Sequence, residues 1–577
     1  MSSQVSGAEY DLVVVGSGAA GLSAAVTAAH EGLSVLVLEK ADHFGGTTAL
    51  SGGWLYIPGN PTGAAQVDDT REEIVSYLKD LGGDRYPAAK VEAFLDAVPE
   101  MVEFFETKTA MSFVYPDLAP DYHMKSPGAK RTGRCVYAEP VDARILGNDR
   151  LRISPYLREI TVFGVMPQIG PDLQQFLNAN RSVRSFLYVT RRLLRSWAEH
   201  AVYRRGLDLS NGNALIARLL RSARDVGVDL QTGATVTSLQ LEGDAVTGAQ
   251  VRDADGGVRS VRARKGVLLA CGGFSHSADL AAQLFPHGAE HFSPTAAGSN
   301  GDNRRLGVIA GAGFDTNVRQ PAAWAPVTVF KGSRGRRRVF PHLRGVGLPG
   351  IIAVDRHGRR FTNESNSYHQ FCQDMLRAND GEDDVYAFLV ADARTMHKYG
   401  LGFAKPWPFP RLRYYWNGYL KSGRTLDALA RRAGIDADGL RSTVEEFNTG
   451  ARAGKDPVLG RGEDEFNWFK GDMTHSPNPS LDTLEKGPFF ATKVRMGDLG
   501  TFAGLAADPQ GRVLRDDGST VQGLYAAGSA AVSIFGGAYP GHGANLGPAV
   551  TGGFVIGRLL ARHDSAPTAA EPRGTTP

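Results

Sequence analysis

The sequence predicts an α/β fold, and the order of motifs near its N-terminus carries that prediction. A short apolar run, 11–15, is typical of a buried strand and leads directly into the pattern GxGxxG at 16–21. An alanine-rich helix is predicted over 22–30, and a second apolar strand, 33–38, ends on Glu39. Strand, glycine turn, helix, strand and acid in this order are typical of a Rossmann-like dinucleotide-binding unit.

The glycine turn and the acid suit a pyrophosphate and a ribose. Glycines let the backbone approach a ligand closely, and the helix N-terminus faces its negative charge. Glu39 stands 23 residues after Gly16, close to the spacing at which an acid accepts hydrogen bonds from ribose hydroxyls. An isolated GxGxxG is a weak signal, but this context is specific. The first predicted cofactor contacts are Gly16, Ser17, Gly18, Ala20, Gly21, Glu39 and Lys40.

A second glycine-rich segment, 45–53, follows soon after the acid. We interpret it as a sign of FAD rather than NAD, because its hydroxyls are able to reach the pyrophosphate and the flavin edge. An ordinary loop is the alternative. Thr47 and Thr48, rather than a histidine, precede Gly52, so we expect the FAD to be noncovalent. The predicted contacts here are Gly46, Thr47, Ser51 and Gly53.

Later segments extend the predicted cofactor site. The buried strand predicted over 266–273 runs into paired glycines, as does the strand that returns to the dinucleotide fold in flavoproteins. Another strand is predicted over 234–241, and the strand at 523–528 ends on a glycine turn. The further predicted contacts are Val236, Gly273, Gly528, Asn545 and Leu546.

The loop 539–548 is the candidate reaction site, because it combines glycines with a phenol. Its amides lie next to a predicted helix N-terminus, where unpaired N–H groups face a negative ligand. Tyr539 and the amide of Gly543, four residues apart, are able to share one carbonyl oxygen. A glycine-rich turn with a packed tyrosine is the alternative. For Tyr122 and Tyr368, in other loops, packing is the favoured interpretation from the residues alone.

Composition excludes several classes of function. The chain has 577 residues and a net charge of only +3, which argues against binding of nucleic acid by the chain as a whole. Its three cysteines lie far apart without a CxxC pair, which argues against a zinc site and disulfides and favours a reducing cytoplasm. No signal-peptide pattern and no run of 18 apolar residues occurs, so we expect a cytoplasmic protein without a membrane span or a metal.

The segment 181–205 carries seven arginines among apolar residues, which is the pattern of a basic amphipathic helix. One interpretation is peripheral contact with the inner face of an anionic membrane. The alternative, slightly favoured from the sequence, is a surface helix that packs on the protein's own core.

Taken together, these motifs resemble the 3-ketosteroid dehydrogenase branch of the fumarate-reductase-type flavoproteins. The resemblance extends over most of the chain, and its most specific parts are 363–368 and 539–543. It implies an α/β protein in which a Rossmann-like FAD-binding domain, discontinuous in sequence, holds an inserted α+β catalytic domain. The implied divisions are 1–318 for the first FAD-binding part with an insertion near 151–206, 319–490 for the catalytic domain, 491–563 for the FAD-binding return and 564–577 for a disordered tail.

The resemblance also implies roles for single residues in the 1,2-dehydrogenation of a 3-ketosteroid. Tyr539 and the amide of Gly543 would polarise the C3 carbonyl, and Tyr368 would take a proton from C2 with Tyr122 beside it. The flavin would accept a hydride from C1 and pass its electrons to a quinone-like or dye-like acceptor. A tyrosine base must be an anion, so its pKa of about 10 has to be lowered by its surroundings.

The sequence departs from the steroid pattern at His542, where proline is usual, and at Ala544-Asn545-Leu546, where we expect Ala-Thr-Ile. Three alternatives therefore stay open. One is a 3-ketosteroid 4-dehydrogenase, which usually has serine in place of Gly543. Another is a fumarate-reductase-like enzyme for a small carboxylate, although the loop 539–548 holds no arginine to bind one. The third is a flavin-binding or membrane-associated scaffold without turnover.

Overall fold

The computed structural model describes residues 8–168, 170–288, 290–332, 335 and 337–562. The tail predicted to be disordered, 564–577, lies outside the described residues. Within the described part, helices alternate with strands of mixed sheets, so the predicted α/β class is confirmed.

The strands in chain order are β1 (Ala8–Val15), β2 (Val35–Glu39), β3 (Trp54–Tyr56), β4 (Phe113–Val114), β5 (Cys135–Ala138), β6 (Val141–Asp142), β7 (Asp208–Leu209), β8 (Asp229–Thr232), β9 (Thr235–Glu242), β10 (Ala245–Arg252), β11 (Val258–Leu269), β12 (Phe314–Asp315), β13 (Ala322–Lys331), β14 (Arg337–Pro341), β15 (Ile351–Val354), β16 (Tyr386–Ala391), β17 (Lys421–Gly423), β18 (Phe489–Thr501), β19 (Gly504–Leu505), β20 (Arg512–Leu514) and β21 (Thr520–Ala526).

The α-helices in chain order are α1 (Ala19–His30), α2 (Gly46–Leu50), α3 (Pro61–Val67), α4 (Arg71–Gly82), α5 (Ala88–Lys108), α6 (Pro171–Asn178), α7 (Val183–Tyr203), α8 (Asn211–Asp225), α9 (Ala278–Leu284), α10 (Asp302–Ile309), α11 (Tyr368–Ala378), α12 (Ala393–Lys398), α13 (Leu412–Trp416), α14 (Leu426–Ala433), α15 (Ala437–Arg452), α16 (Glu465–Lys470) and α17 (Leu546–Arg562).

An eight-stranded sheet forms the first half of the architecture, with the strand order β20-β21-β11-β1-β2-β8 and with β10 and β9 added to β11. β1 is parallel to β11 and β2, and β21 is parallel to β11. The C-terminal parts of β1 and β11, 12–15 and 267–269, are apolar and buried, as expected where both faces of a parallel sheet are covered. Since β21 comes from near the C-terminus, this sheet is discontinuous in sequence, as predicted.

Helix α17 packs closely on α1 and fixes the position of the loop before it. A Cβ on Gly553 would lie 2.3 Å from the carbonyl oxygen of Ala20, so only glycine permits this approach. The hydroxyl of Ser23, on α1, donates to the carbonyl of Val550 at 2.6 Å. The loop 539–545 is therefore held beside the glycine turn that precedes α1.

A six-stranded sheet forms the second half, in the order β14-β13-β18-β16-β15, with β17 paired to β18. Its helices include α11, α14 and α15, so this part has the α+β character expected for the insertion. β18 runs across the predicted boundary at 490 and pairs with β13 and β16. The exact domain limits stay a prediction.

The insertion predicted near 151–206 contains α6 and the 21-residue helix α7. The apolar side chains of α7 are largely exposed; Val183, for example, is 77% exposed. Its buried residues are Ser185, Val189 and Glu199. No helix in the described ranges is both long and apolar enough to cross a membrane.

Candidate active site

The turn between β1 and α1 forms a cradle for a phosphate-bearing ligand. Gly16 has a φ of +106°, and a Cβ there would lie 2.4 Å from the carbonyl oxygen of Ala270. The Ser17 hydroxyl donates to Glu39 at 2.6 Å and accepts from the Gly45 amide at 2.9 Å. This network joins the first glycine turn to the second glycine-rich segment.

A cavity of about 1120 Å³ extends from this cradle to the loop 539–548. Every residue predicted to contact the cofactor lines it except Gly21, which lies behind the turn, where a Cβ would meet the Gly16 carbonyl at 2.0 Å. A Cβ on Gly46 would meet nothing within 4 Å, and one on Gly18 would meet only the Thr48 hydroxyl at 3.6 Å, so added side chains would occupy the volume a dinucleotide needs. These features fit FAD, although the individual contacts stay predictions.

The charged and hydroxyl groups around this turn already form hydrogen bonds within the protein. One oxygen of Glu39 accepts from the amide and hydroxyl of Ser17, and the other accepts from the Ala41 amide at 2.9 Å. Because a carboxylate has about four acceptor positions, Glu39 retains capacity for a ribose hydroxyl. Lys40 donates to Asp302 and Asn300 across the cavity, so its charge is paired within the protein.

Three buried phenols meet at the far end of the cavity. The Tyr122 hydroxyl lies 3.0 Å from the Tyr368 hydroxyl, which lies 2.9 Å from the Tyr539 hydroxyl. The rings of Tyr122 and Tyr539 are stacked, with centroids 5.5 Å apart. The structure thus brings together the three tyrosines singled out in the sequence, although they are hundreds of residues apart.

Tyr122 is positioned by a rigid loop. Its amide donates to the carbonyl of Pro540 at 3.0 Å, which ties it to the loop 539–548. Next to it, Asp121 pairs with the fully buried Arg134 at 2.7 Å, and Arg134 also pairs with Asp69 at 2.6 Å. A buried charge network that is fully hydrogen-bonded fixes its loop in one geometry.

Tyr368 begins α11, and the residues before it explain its fixed position. The Ser367 hydroxyl caps the helix by accepting from the Gln370 amide at 3.1 Å. Glu364 is buried between Arg360 and Arg461; burial raises its pKa, but the two cations outweigh this and lower it to about 2. The Asn-Glu-Ser segment is therefore a support for Tyr368 rather than a set of reacting groups.

The amide of Gly543 is a free donor beside the phenols. Within the described part of the chain it donates to no backbone or side-chain group, while its carbonyl accepts from the Tyr56 amide at 3.1 Å. Gly543 has a φ of +84°, and a Cβ there would lie 2.2 Å from the carbonyl oxygen of Trp54. Both facts make glycine the residue this position requires. The free amide and the hydroxyl of Tyr539 both face the same cavity.

The pKa values of the phenols differ from the sequence expectation. Burial raises the pKa of Tyr122, Tyr368 and Tyr539 well above 10. A tyrosine base was expected to have a lowered pKa, but the described side chains place no cation in contact with these hydroxyls. The three groups are neutral at ordinary pH, so any base function depends on proton transfer along their hydrogen bonds.

His542 is a functional candidate that the sequence reasoning noted only as a departure. Its Nδ1 lies 3.0 Å from the Tyr122 hydroxyl, and its ring stacks on Trp54. Its Nε2 is buried and has no partner among the described residues. Burial, with the nearby charge of Lys470, lowers its pKa to about 3, so the ring is neutral.

Two cations also line the cavity and were missed. Arg344 follows β14, and Lys470 ends α16, so neither belongs to a recognisable motif. The loop 539–548 holds no arginine, which argues against a carboxylate substrate when this loop is taken alone. That inference was too narrow, because residues distant in sequence supply positive charge to the same cavity.

A dinucleotide-binding turn opens into a cavity lined by three tyrosines. These two features define the protein as a flavoprotein of the oxidoreductase class. The match to a family model confirms this. The chain belongs to the FAD binding domain family, whose model matches residues 11–546. Its cofactor is FAD.

Two of the named relatives act on different substrates. The chain is 52% identical over 562 residues to a 4-oxocyclohex-2-ene-1-carboxylate 5-dehydrogenase of Sinomonas cyclohexanicum, covering 96% of this chain and 94% of that one. It is 37% identical over 587 residues to a 3-oxosteroid 1-dehydrogenase of Mycolicibacterium smegmatis, covering 99% of each.

A solved structure agrees with the fold. The crystal structure of 3-ketosteroid delta1-dehydrogenase from Sterolibacterium denitrificans, with 1,4-androstadiene-3,17-dione, matches with a TM-score of 0.86 and 31% identity. It covers 96% of this chain and 100% of that one. The predicted resemblance is thus confirmed for the wider family, while the steroid itself is not established.

Proposed function

We propose that this protein is an FAD-dependent dehydrogenase that introduces a C=C bond next to the ketone of a small oxo-cyclohexane or oxo-cyclohexene carboxylate. The observation that carries the proposal is the 52% identity, over nearly the whole chain, to an enzyme named for such a substrate. A small carboxylate is one of the alternatives to a steroid that the sequence leaves open, and this relative favours it.

The geometry supports separate roles for the residues around the ketone. Tyr539 and the amide of Gly543 would donate hydrogen bonds to the ketone oxygen, where negative charge develops when a neighbouring C–H bond loses its proton. Tyr368 would accept that proton, because its hydroxyl approaches from α11 and not from the loop. Bound FAD supplies the acceptor for the hydride from the adjacent carbon, so the substrate loses one proton and one hydride.

The hydrogen-bond chain supports a route for the proton. Tyr368 is neutral in the free protein, so it accepts a proton only as it passes its own to a neighbour. In the free protein the Tyr122 hydroxyl donates to Tyr368 at 3.0 Å, so it would have to turn toward His542 Nδ1, also 3.0 Å away, to accept the proton of Tyr368 and pass on its own. A proton moving along this chain would reach the histidine only transiently, because burial lowers the pKa of His542 to about 3. Tyr122 would therefore carry the proton and hold Tyr368 in place.

A 3-ketosteroid is the second candidate. Apolar side chains from the segment 157–173 line the outer part of the cavity, and they suit a hydrocarbon ring system. The steroid relative at 37% identity and the matching crystal structure point the same way. Both candidates use the same chemistry at the ketone, so they differ only in what the rest of the cavity binds.

Anaerobic bleaching of the flavin separates the candidates. The holoenzyme would be mixed with 4-oxocyclohex-2-ene-1-carboxylate, 4-oxocyclohexanecarboxylate and 4-androstene-3,17-dione in turn. We expect rapid bleaching with at least one carboxylate and little with the steroid. Bleaching by the steroid alone would reverse the proposal, and bleaching by none would support a scaffold without turnover. Reoxidation by a quinone or a dye would then identify the acceptor class.

A further inference from the structure

Lys470 is a buried cation with an unused donor. Its ammonium group donates to the backbone carbonyls of Asn366 and Glu364. An ammonium has three donors, so one remains free. Within the described ranges, no carboxylate lies within 4.0 Å of it. A buried charge without a counterion is costly, which is why such a group normally has a partner or awaits one.

Arg344 adds a second cation beside Lys470. Its Nη2 donates to the carbonyl of Gly471 at 2.8 Å, and its Nε donates to the carbonyl of Lys470 at 3.4 Å. The guanidinium therefore covers the C-terminal end of α16, where cations are favoured. Among the described residues, its Nη1 has no hydrogen-bond partner and no acid forms an ion pair with it. Both cations line the cavity that holds the tyrosines.

The acids nearest these cations are already neutralised by others. Glu364 pairs with Arg360 at 2.7 Å and with Arg461 at 3.0 Å. Asp472 accepts from the Tyr399 hydroxyl at 2.6 Å and pairs with Lys398 at 3.1 Å. The cavity wall at the end of α16 therefore keeps a positive charge that the described residues do not balance.

Helix α16 connects this positive end to the phenols. Phe466 packs on the Tyr122 ring with centroids 4.7 Å apart, and Phe469 packs on the His542 ring at 5.3 Å. Lys470 follows directly, with its ammonium 5.9 Å from the Phe466 centroid. An apolar ring between a ketone site and a cation site matches a cyclic ketone that carries a carboxylate on its opposite side.

We infer that Lys470 and Arg344 form the subsite that binds the carboxylate of the substrate. This inference rests on the proposed function and names the residues that select its substrate class. A carboxylate would accept the free donor of Lys470 and Nη1 of Arg344 while Tyr539 and Gly543 hold the ketone. A purely hydrocarbon ligand would remove both cations from water without a partner, so the subsite also discriminates against it.

Substrate pairs that differ only in charge test the subsite. Lys470→Gln and Arg344→Gln would be compared with wild type on 4-oxocyclohex-2-ene-1-carboxylate and on its methyl ester. We expect KM for the acid to rise about tenfold or more in each variant, with kcat/KM for the ester changed less than about threefold. Lys125→Gln, which removes an exposed lysine paired with Glu463, is the matched control. An unchanged preference for the acid in both variants would overturn the inference.

A binding measurement keeps this test separate from the reaction. 4-Hydroxybenzoate has an oxygen and a carboxylate on opposite sides of a flat ring, so its perturbation of the flavin spectrum reports binding without turnover. We expect a tenfold weaker Kd for it in Lys470→Gln and Arg344→Gln, with the methyl ester nearly unaffected. If the two variants lose the preference for the acid but the wild-type enzyme oxidises none of the ketones, the subsite is supported and the proposed function is rejected. If the enzyme oxidises the acid and neither substitution changes this turnover, the proposed function is supported and the subsite is rejected.

Discussion

At the scale of single residues, Tyr368 and Tyr539 should have separable roles. Tyr368→Phe removes the proton acceptor but leaves Tyr539 and Gly543 intact, so kcat should fall roughly 10²–10⁴-fold while substrate still perturbs the flavin spectrum. Tyr539→Phe removes a donor to the developing oxyanion and should cost on the order of 10²–10³-fold in rate. Stopped-flow flavin reduction measures both. Near-full reduction by Tyr368→Phe would transfer the base role to Tyr122.

The pH dependence of substrate binding should arise from the deprotonation of Lys470. Burial lowers its pKa to about 7, with Arg461 and Arg344 lowering it and Glu364 opposing them, while His542 stays neutral. Because the protonated ammonium binds a carboxylate, kcat/KM for the acid should fall as pH rises through about 7. A bound carboxylate stabilises the ammonium, so binding should take up a proton. A pH profile of kcat/KM for acid and ester checks this; equal slopes for the two would contradict it.

Individual residues also differ in whether their roles can be predicted from the sequence. Glu39 and the turn beginning at Gly16 were predictable because both lie within one strand–helix–strand unit. Lys470 and Arg344 were not, since only the tertiary fold brings α16 and the segment after β14 to one cavity. Tyr368 was found through resemblance, but its raised pKa depends on burial among residues far away in sequence.

At the scale of elements, α7 has its polar side toward the protein and its apolar side outward. Ser185 donates to Gln175, and Arg192 pairs with Asp208 at 2.6 Å. By contrast, Leu187 is 61% and Val202 is 72% exposed. Most apolar side chains of α7 therefore face outward, while Val189 is buried against the protein. The pattern of residues predicted a helix, but not which face meets the protein.

We propose that α7 rests on an anionic membrane surface with this outward face. Exposed arginines such as Arg184 and Arg191 flank the apolar side chains, which suits an interfacial helix. The protein should bind vesicles with anionic lipids at low salt and release them as salt screens the charges. Co-sedimentation measures this.

A matched variant makes the membrane experiment specific. Leu194→Ser with Trp197→Ser should abolish most vesicle binding, because both side chains are exposed on α7, while flavin content stays unchanged. Lys125→Gln provides the control again, since it removes a positive charge elsewhere. Equal binding by the variant would reject α7 as the contact, and concentration-dependent dimerisation lost in the variant would identify a second copy as its partner instead.

At the scale of the whole molecule, the α/β class and the discontinuous nucleotide sheet followed from the sequence, while the joining of the two sheets around one cavity did not. Sequence motifs describe the local conformation of the backbone. Such a motif occurs in the turn at 16–20, in the segment 45–53 and in the loop 539–548. The cavity also needs residues 294–299 and the end of α16, which carry no motif and reach it only through folding.

Bound FAD should hold together the segments that form this cavity. Its predicted contacts come from segments more than 500 residues apart in sequence, such as Gly16 and Asn545. A ligand that binds only the folded state stabilises it, by about 2.7 kcal/mol at 100 times its Kd, so removing FAD should lower Tm and adding it back should restore Tm. We expect acid precipitation to release yellow flavin into the supernatant, because the attachment is noncovalent. His43 and His542 both line the cavity, so colour retained in the pellet would show a covalent bond to the protein and contradict the prediction.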